Sequence, residues 1–170
     1  MLAELVVENK VDGATEAVAN ATFLDRLTQA AAIVRKRYPG AQLLEADIDL
    51  ERFACGWRFV FDVPTAGFKD THSTAILCHD GTRFQMPPQH IEEPWPSDKP
   101  IPLPIEMDVE EAEDLAMRAG YSGAVTGISL RWVLFPGIEE PHYILTIPEK
   151  DVLVFVGVYT RKVTVGSLTV

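Results

Sequence analysis

Four acidic side chains alternate with apolar ones between positions 44 and 51. On a predicted strand they share one face, about 6.6–7 Å apart in succession: Glu45, Asp47, Asp49 and Glu51. Like charges at this spacing raise one another's pKa unless water or a cationic partner surrounds them. The pattern fits a solvated outer face, a guarded sheet edge, or a contact surface for a basic protein. The spacing also suits the carboxylate pair of a glycoside hydrolase, but nothing predicts the burial that one acid would need.

The other reactive side chains form no catalytic pattern. A Cys–His nucleophile needs both side chains adjacent in space, but Cys78 and His79 are consecutive and would point to opposite faces of a strand. A pairing of Cys55 with His72 or His142 stays open. The sequence contains no H-x-x-x-H or C-x-x-C spacing and no phosphate-binding glycine loop. We therefore expect no catalytic residue, no metal site and no cofactor, and we do not expect an enzyme.

Four further residues are candidates for contact with a partner. Arg58 and Arg131 lie on the polar faces of corresponding strands in the two halves of the chain. Trp95 is an apolar side chain in a proline tract, which fits either an extended bridge or a polyproline ligand. Phe135 begins a loop, and loops commonly carry binding residues. Aromatic side chains of the strands would be anchors if they line an exposed concave face, and core residues otherwise.

Composition excludes several classes of partner. The 170 residues are 47% apolar and 24% charged, as in an ordinary folded domain. A formal net charge of −10 and a pI of about 4.8 disfavour nucleic acid and anionic membranes but permit a basic protein. The amino terminus lacks a basic start followed by a long apolar stretch, and no apolar run approaches the roughly 18 residues of a membrane span. Two cysteines make no disulfide framework, so the expected location is the cytoplasm.

The first half of the chain predicts a helix followed by strands. Thr22 and Asp25 resemble a capping pair, and an apolar stripe predicts a helix that stops at Pro39. Alternation with a period of two then predicts strands near 44–50, 57–63 and 73–79. In the first of these, Leu44 belongs to the apolar face. Asp80-Gly81 predicts a hairpin turn with a return over 82–84.

The second half repeats this pattern after a proline-rich linker. Seven of the twelve prolines lie between Pro87 and Pro104, which predicts a linker over 86–107 without helix or central strand. Asp108 and Glu111 predict a capping box, and strands follow near 128–134, 143–147, 152–159 and 163–165. The run 152–159 is apolar throughout, which is typical of a central strand covered on both faces.

The two halves keep register with each other. The predicted caps, first strands and second strands are each separated by 86 positions, as shown by the pairs Thr22 and Asp108, Leu44 and Leu130, and Phe59 and Leu145. We therefore predict an α+β fold of two similar helix-plus-antiparallel-sheet units, over 1–85 and 108–170. Their sheets can be continuous, with both helices on one side. Units of this size are marginal alone, so both are expected to pack into one compact domain.

The second unit resembles a PepSY-type module. The resemblance lies in the acidic helix start Glu110 to Gly120, the strand Tyr143 to Ile147, and the hairpin that ends in Tyr159-Thr160-Arg161-Lys162-Val163. It implies a helix packed on an antiparallel sheet in the cystatin-like manner, and a role in inhibition or docking rather than catalysis. The tandem layout is also similar to that of beta-lactamase inhibitor proteins.

Together these features predict a non-catalytic protein-binding function, of which inhibition is one form, for a sheet face and its rim loops. The expected contact residues are Glu45, Asp47, Asp49, Glu51, Arg58, Trp95, Arg131 and Phe135. One alternative is an immunity protein that neutralises a basic toxin enzyme, for which salt-sensitive binding would be the sign. Another is a cystatin-like cavity that binds a small ligand or carries out catalysis. The expected partner is a protein, which would be basic if the chain is an immunity protein. A homodimer is also compatible with the sequence.

Overall fold

The structure is a computed structural model that describes residues 21–49, 56–65, 71–96, 99–133 and 137–168. Two α-helices, α1 (Phe23–Arg37) and α2 (Val109–Arg118), each precede four strands. A short 3-10 helix, Pro148–Lys150, lies between β6 and β7. The strands are β1 (Gln42–Asp49), β2 (Trp57–Pro64), β3 (His72–His79), β4 (Gln89–Ile91), β5 (Gly127–Trp132), β6 (Pro141–Ile147), β7 (Val152–Gly157) and β8 (Val163–Ser167).

All eight strands form one antiparallel sheet in the order β4-β3-β2-β1-β5-β6-β7-β8. Each unit is a helix followed by an antiparallel meander of four strands. The units meet through their first strands, where Ala46 lies opposite Leu130 and Ile48 opposite Ile128. The predicted α+β fold with a continuous sheet is therefore confirmed.

The helix starts follow the local sequence. Thr22 caps α1 through a reciprocal box, in which its hydroxyl accepts from the Asp25 amide at 3.3 Å and its amide donates to the Asp25 carboxylate at 3.0 Å. Asp108 caps α2 by accepting from the Val109 amide at 2.7 Å. Glu111 accepts instead from Arg161 Nε at 2.6 Å. Asp108 is therefore the predicted cap of α2, but the predicted capping box with Glu111 is wrong, because Asp108 accepts from Val109 and Glu111 from Arg161.

Both helices cover the same face of the sheet, and the core lies between them and that face. Phe23 of α1 stacks on Trp57 with ring centroids 5.2 Å apart and meets Tyr143 edge-on at 5.9 Å. Tyr143 is fully buried, and its hydroxyl donates to the carbonyl of Met107 at 2.8 Å. The hydroxyl group is therefore hydrogen-bonded inside the core. The core thus spans both units, with Tyr143 at its centre.

A β-bulge in β1 changes which leucine faces the core. The register between β1 and β2 shifts between Leu43 and Glu45, so that Leu43 joins the core cluster while Leu44 is buried outside it. The assignment of Leu44 to the apolar face was therefore wrong. Ala46 pairs with Phe59 in the first unit, and Leu130 pairs with Tyr143 in the second. Equivalent strand positions in the two units are therefore 84 residues apart, whereas the helix caps are 86 residues apart. The two-residue difference leaves side chains on the same face.

The proline-rich segment runs from one face of the sheet to the other. It contains the edge strand β4, whereas the predicted return over 82–84 is a single bridge between Phe84 and His79. After β4 the Glu93 carbonyl accepts from Thr74 Oγ1 at 2.8 Å, and Thr74 points away from the helices. Farther on, the Ile101 amide donates to the Leu43 carbonyl at 2.7 Å, and Ile101 is buried in the core. The linker therefore packs against both faces.

Two further expectations about the second half of the sheet and the cysteines were wrong. β7 is the second strand from the edge and is covered on one face only: Val154 and Val156 are buried under α2, whereas Leu153 and Phe155 are half-exposed on the other side. Cys78 is disulfide-bonded rather than a free buried thiol. The chain has one other cysteine, Cys55, which lies outside the described residues.

Candidate functional site

The face of the sheet opposite the helices, the back face, carries the candidate site. On the first unit this face is covered: Val60 and Thr74 are fully buried, and the linker residues Glu93 and Trp95 contact it. On the second unit the helices leave it open. The site has two adjoining parts, a buried charged cluster at the centre of the sheet and an apolar groove over the second unit.

The charged cluster is built by alternation on β1, β2 and β5, with one residue from the linker. Arg58 Nη2 lies 2.8 Å from Glu45 Oε1 and 2.7 Å from Asp47 Oδ2. Arg131 Nη1 lies 3.3 Å from the second Glu45 oxygen, to which Trp95 Nε1 donates at 3.4 Å. Ser129 Oγ, on the neighbouring strand, donates to Asp47 Oδ1 at 2.7 Å, and the Arg58 guanidinium lies 5.5 Å from the Trp95 ring centroid.

Burial controls the electrostatics of this cluster. Glu45 and Asp47 are 3% and 5% exposed. Burial, followed by the hydrogen bond and charge of Glu45, raises the pKa of Asp47 from 3.8 to about 7, while Ser129 and Arg58 oppose that shift. The pKa of Asp47 thus lies near neutral pH.

The cluster corrects the expected picture of the acidic face. Glu45 and Asp47 are buried and paired with two guanidinium groups, so they are not a solvated stripe. The structure brings five of the eight predicted contact residues together, namely Glu45, Asp47, Arg58, Trp95 and Arg131. Of the others, the backbone of Asp49 pairs with Gly127 at the end of β1. Glu51 and Phe135 lie outside the described residues.

The apolar groove occupies about 640 Å³ and continues from the charged cluster toward β8. Its floor is formed by Ile144, Leu153 and Phe155, all half-buried, and the Phe155 ring covers Gly166 on the neighbouring strand. Arg131 and His142, a cross-strand pair, stand at one end. The described lining contains no carboxylate: Arg131, Val133, Ile138, His142, Ile144, Leu153, Phe155, Thr164, Val165, Gly166, Ser167 and Leu168.

Hydrogen bonds fix the polar end of the groove and its rim. His142 Nδ1 lies 3.0 Å from the Glu140 carbonyl oxygen, which can only accept, so Nδ1 carries a proton and Nε2 is left for another contact. The Glu140 carboxylate accepts from the amides of Tyr159 at 2.6 Å and Thr160 at 3.0 Å. These bonds hold the end of the β5–β6 connection against the β7–β8 turn. Ile138, in the same connection, lines the groove.

The described residues offer little for other kinds of chemistry. Among them, no group of three or more His, Cys, Asp or Glu side chains is placed to hold a metal ion. No helix in this part of the chain is long and apolar enough to cross a membrane. What the described residues provide is an apolar concave surface with Arg131 and His142 at one end.

Comparison with known proteins agrees with this architecture. The crystal structure of a protein described as a "putative lipoprotein" from Clostridium difficile 630 superposes with a TM-score of 0.58 at 14% identity. The match covers 86% of this chain and 99% of that one. The likeness is one of fold. No known protein family matches the chain, and no curated protein does.

The groove was not predicted, although the sequence of β7 contains a signal for it. Leu153 and Phe155 alternate with Val152, Val154 and Val156, of which the last two belong to the core, so both faces of β7 carry apolar side chains. That pattern predicts a strand buried on both faces, but it also fits a strand with one buried face and one exposed apolar face that could bind a partner. On β6, Ile144 is likewise an apolar residue on the face that otherwise carries the polar residues His142 and Thr146.

Proposed function

We propose that the protein is a non-catalytic binding protein that holds a partner protein on the back face of its second unit. The observation that supports this most is the groove, because both helices lie on the other face and leave Ile144, Leu153 and Phe155 partly exposed in a 640 Å³ concavity. Apolar surface that is contiguous and rimmed by polar groups is typical of an interaction site. Packing a partner there would remove this surface from water.

The charges of the site favour a neutral or acidic partner over a basic one. Glu45 and Asp47, which would have attracted a basic toxin enzyme, are already paired with Arg58 and Arg131. The groove lining has no carboxylate among its described residues, and its two nitrogen-bearing side chains are His142 and Arg131, the latter already bonded to Glu45. The immunity-protein alternative therefore has less support than docking of an apolar protein surface.

A small amphipathic anion is the second candidate. The volume of the groove falls in the range of small-ligand sites, and its two nitrogen-bearing side chains converge at one end of an apolar floor. A carboxylate could contact His142 Nε2 and Arg131 while its chain lies on Leu153 and Phe155. Titration with decanoate and with decanol tests whether the groove binds a small anion. If it does, decanoate should bind saturably, decanol should bind more weakly, and the partner protein should compete with both.

Two matched arginine variants test the proposal. Leu153→Arg places a charge on the groove floor, and Met117→Arg places the same charge on the exposed side of α2, where Met117 is 59% exposed. A partner isolated on the wild type and then purified should bind Met117→Arg normally in titration calorimetry. It should bind Leu153→Arg at least about tenfold more weakly, since a buried unpaired charge weakens an interface by more than one kcal/mol.

Both variants must keep the melting temperature of the wild type within a few degrees. A purified partner that binds Leu153→Arg as tightly as the wild type would remove the groove from the proposal. Steady turnover of a substrate that occupies the groove would refute the non-catalytic reading.

We also propose that the protein works outside the reducing cytoplasm. The disulfide at Cys78 favours an oxidising compartment, and the lipoprotein description of the Clostridium difficile structure points the same way. The earlier expectation of a cytoplasmic location rested on composition and on the amino terminus. Thiol titration of protein purified under non-reducing conditions tests this: no reactive thiol is expected, and two reactive thiols would return the protein to a reducing compartment.

A further inference from the structure

The two edges of the sheet are built differently. β4, at one edge, has three residues, is flanked by prolines on both sides, and holds His90 stacked on Tyr38 and bonded to Ser73. Short strands and prolines of this kind discourage another strand from adding. β8, at the other edge, has five residues with the sequence Val-Thr-Val-Gly-Ser, which contains neither charge nor proline. Within the described part of the chain, one edge is therefore protected and the other is open.

The hydrogen bonds between β7 and β8 show which backbone amides and carbonyls of β8 point away from the sheet. The Gly157 amide donates to the Lys162 carbonyl at 3.0 Å, and the Leu168 amide donates to the Asp151 carbonyl at 3.2 Å. In an antiparallel pair the bonded positions alternate, so positions 164 and 166 also face β7. Val163 and Val165 then direct their amides and carbonyls away from the sheet, and no other backbone or side-chain group in the described part of the chain bonds to them.

We infer that β8 is the docking edge for an extended segment of a partner protein, which adds to the sheet as a ninth strand. This inference rests on the proposed function and specifies its mode. Bonds to the Val163 and Val165 backbones would hold the segment regardless of its sequence. Its side chains that point to the back face would lie beside Thr164 and Gly166, at the mouth of the groove.

The surroundings of β8 indicate the chemistry of that segment. Lys162 lies exposed at the start of the strand, His142 lies in the groove without a carboxylate among the described lining, and Leu168 is 37% exposed beyond the end of the strand. An alternating apolar segment that is uncharged or acidic complements this edge. A second copy of the chain fits less well, because two molecules of formal charge −10 would have to approach each other.

Two substitutions at one position isolate the backbone contribution. Val165→Pro removes the outward amide, and it should be tolerated because that amide takes no part in the β7–β8 ladder. Val165→Ala shortens the side chain equally but keeps the amide. The probe is a displayed library of random linear peptides selected on the wild-type protein, and the enriched peptides are then synthesised and titrated.

The enriched peptides should have apolar residues at alternate positions and should bind Val165→Ala within about threefold of the wild type. Binding to Val165→Pro should be at least about tenfold weaker, because one or two backbone hydrogen bonds are lost. The Val165 amide should gain protection from hydrogen exchange when the peptide binds.

Four results would overturn strand addition: no enriched peptide, equal binding to Val165→Pro and Val165→Ala, an unprotected Val165 amide, or a wild-type dimer that Val165→Pro converts to a monomer. Loss of binding in Leu153→Arg alone would leave the groove as the site and remove only the strand-addition mode. Loss in Val165→Pro alone would keep strand addition and remove the groove.

Discussion

Asp47 is the residue whose protonation couples most directly to the fold. Its pKa is raised from 3.8 to about 7, so between these values the folded protein binds a proton that the unfolded chain lacks. This contribution to stability is fully present below the unfolded value and is lost as the pH rises through about 7. We expect the free energy of unfolding to fall across that window by at most about 1.4 kcal/mol per pH unit.

Urea unfolding of the wild type and Asp47→Asn over this pH range measures the effect. The asparagine variant keeps the size of the side chain and cannot ionise, so the difference between the two curves isolates Asp47. Parallel curves would mean that the Asp47 carboxyl titrates with the same pKa in the folded and unfolded chains.

Arg58 is the residue that holds the charged cluster together. It bonds to both Glu45 and Asp47, and its side chain is 19% exposed. Arg58→Ala should lower the free energy of unfolding by about 3–5 kcal/mol, because it leaves two buried carboxyl groups without their shared cation. Arg118→Ala is the control: its ion pair with Asp114 is exposed and 3.7 Å long, so less than about 1 kcal/mol is expected. Equal losses in both variants would show that burial does not strengthen the cluster.

The residues of the cluster could be predicted from the sequence, but their environment could not. Alternation placed Glu45 and Asp47 on one face and Arg58 and Arg131 on the corresponding faces of other strands. Arg131 and Ser129 reach the cluster because β1 pairs with β5, and Trp95 from the linker covers the back face at this point. Neither contact has a local signal, so a solvated face, a guarded edge or a contact surface was expected where the structure forms a buried network.

At the scale of elements, β7 shows the limit of hydrophobic patterning. Its apolar run predicted a strand with two buried faces, whereas α2 covers one face and the groove lies on the other. The helices and their caps were more predictable, because the capping of Thr22 and Asp108 is a local interaction. The bulge at Leu43 left no recognisable signal, since a bulge depends on the partner strand.

The two faces of β7 should respond differently to substitution. Val154 is fully buried, so Val154→Asp should lower the free energy of unfolding by several kcal/mol or prevent folding, because a carboxylate would be buried without a partner. Leu153→Asp, one position away on the half-exposed face, should cost much less. Thermal denaturation followed by circular dichroism compares them, and a Val154→Asp variant that melts with the wild type would refute the burial of this side.

At the scale of the whole molecule, the seam between β1 and β5 joins the sheets of the two units. Leu130 is fully buried at this seam, opposite Ala46 on one side and Tyr143 on the other. We expect Leu130→Ala to cost about 2–5 kcal/mol and to lower the protection of β2 and β6 amides from hydrogen exchange equally. A loss of protection confined to β6 would show that the second unit unfolds alone.

The linker gives the two related halves different surfaces. Each half has the same order of elements, and antiparallel pairing of their first strands is what a twofold axis would generate. In an assembly of two identical chains, any segment that covers one back face would cover the other. A single chain is free of that constraint, and among the described residues the segment through Glu93 and Trp95 covers the first back face and not the second. Joining the halves in one chain thus permits their back faces to differ, with one covered by the linker and the other left uncovered by the described residues.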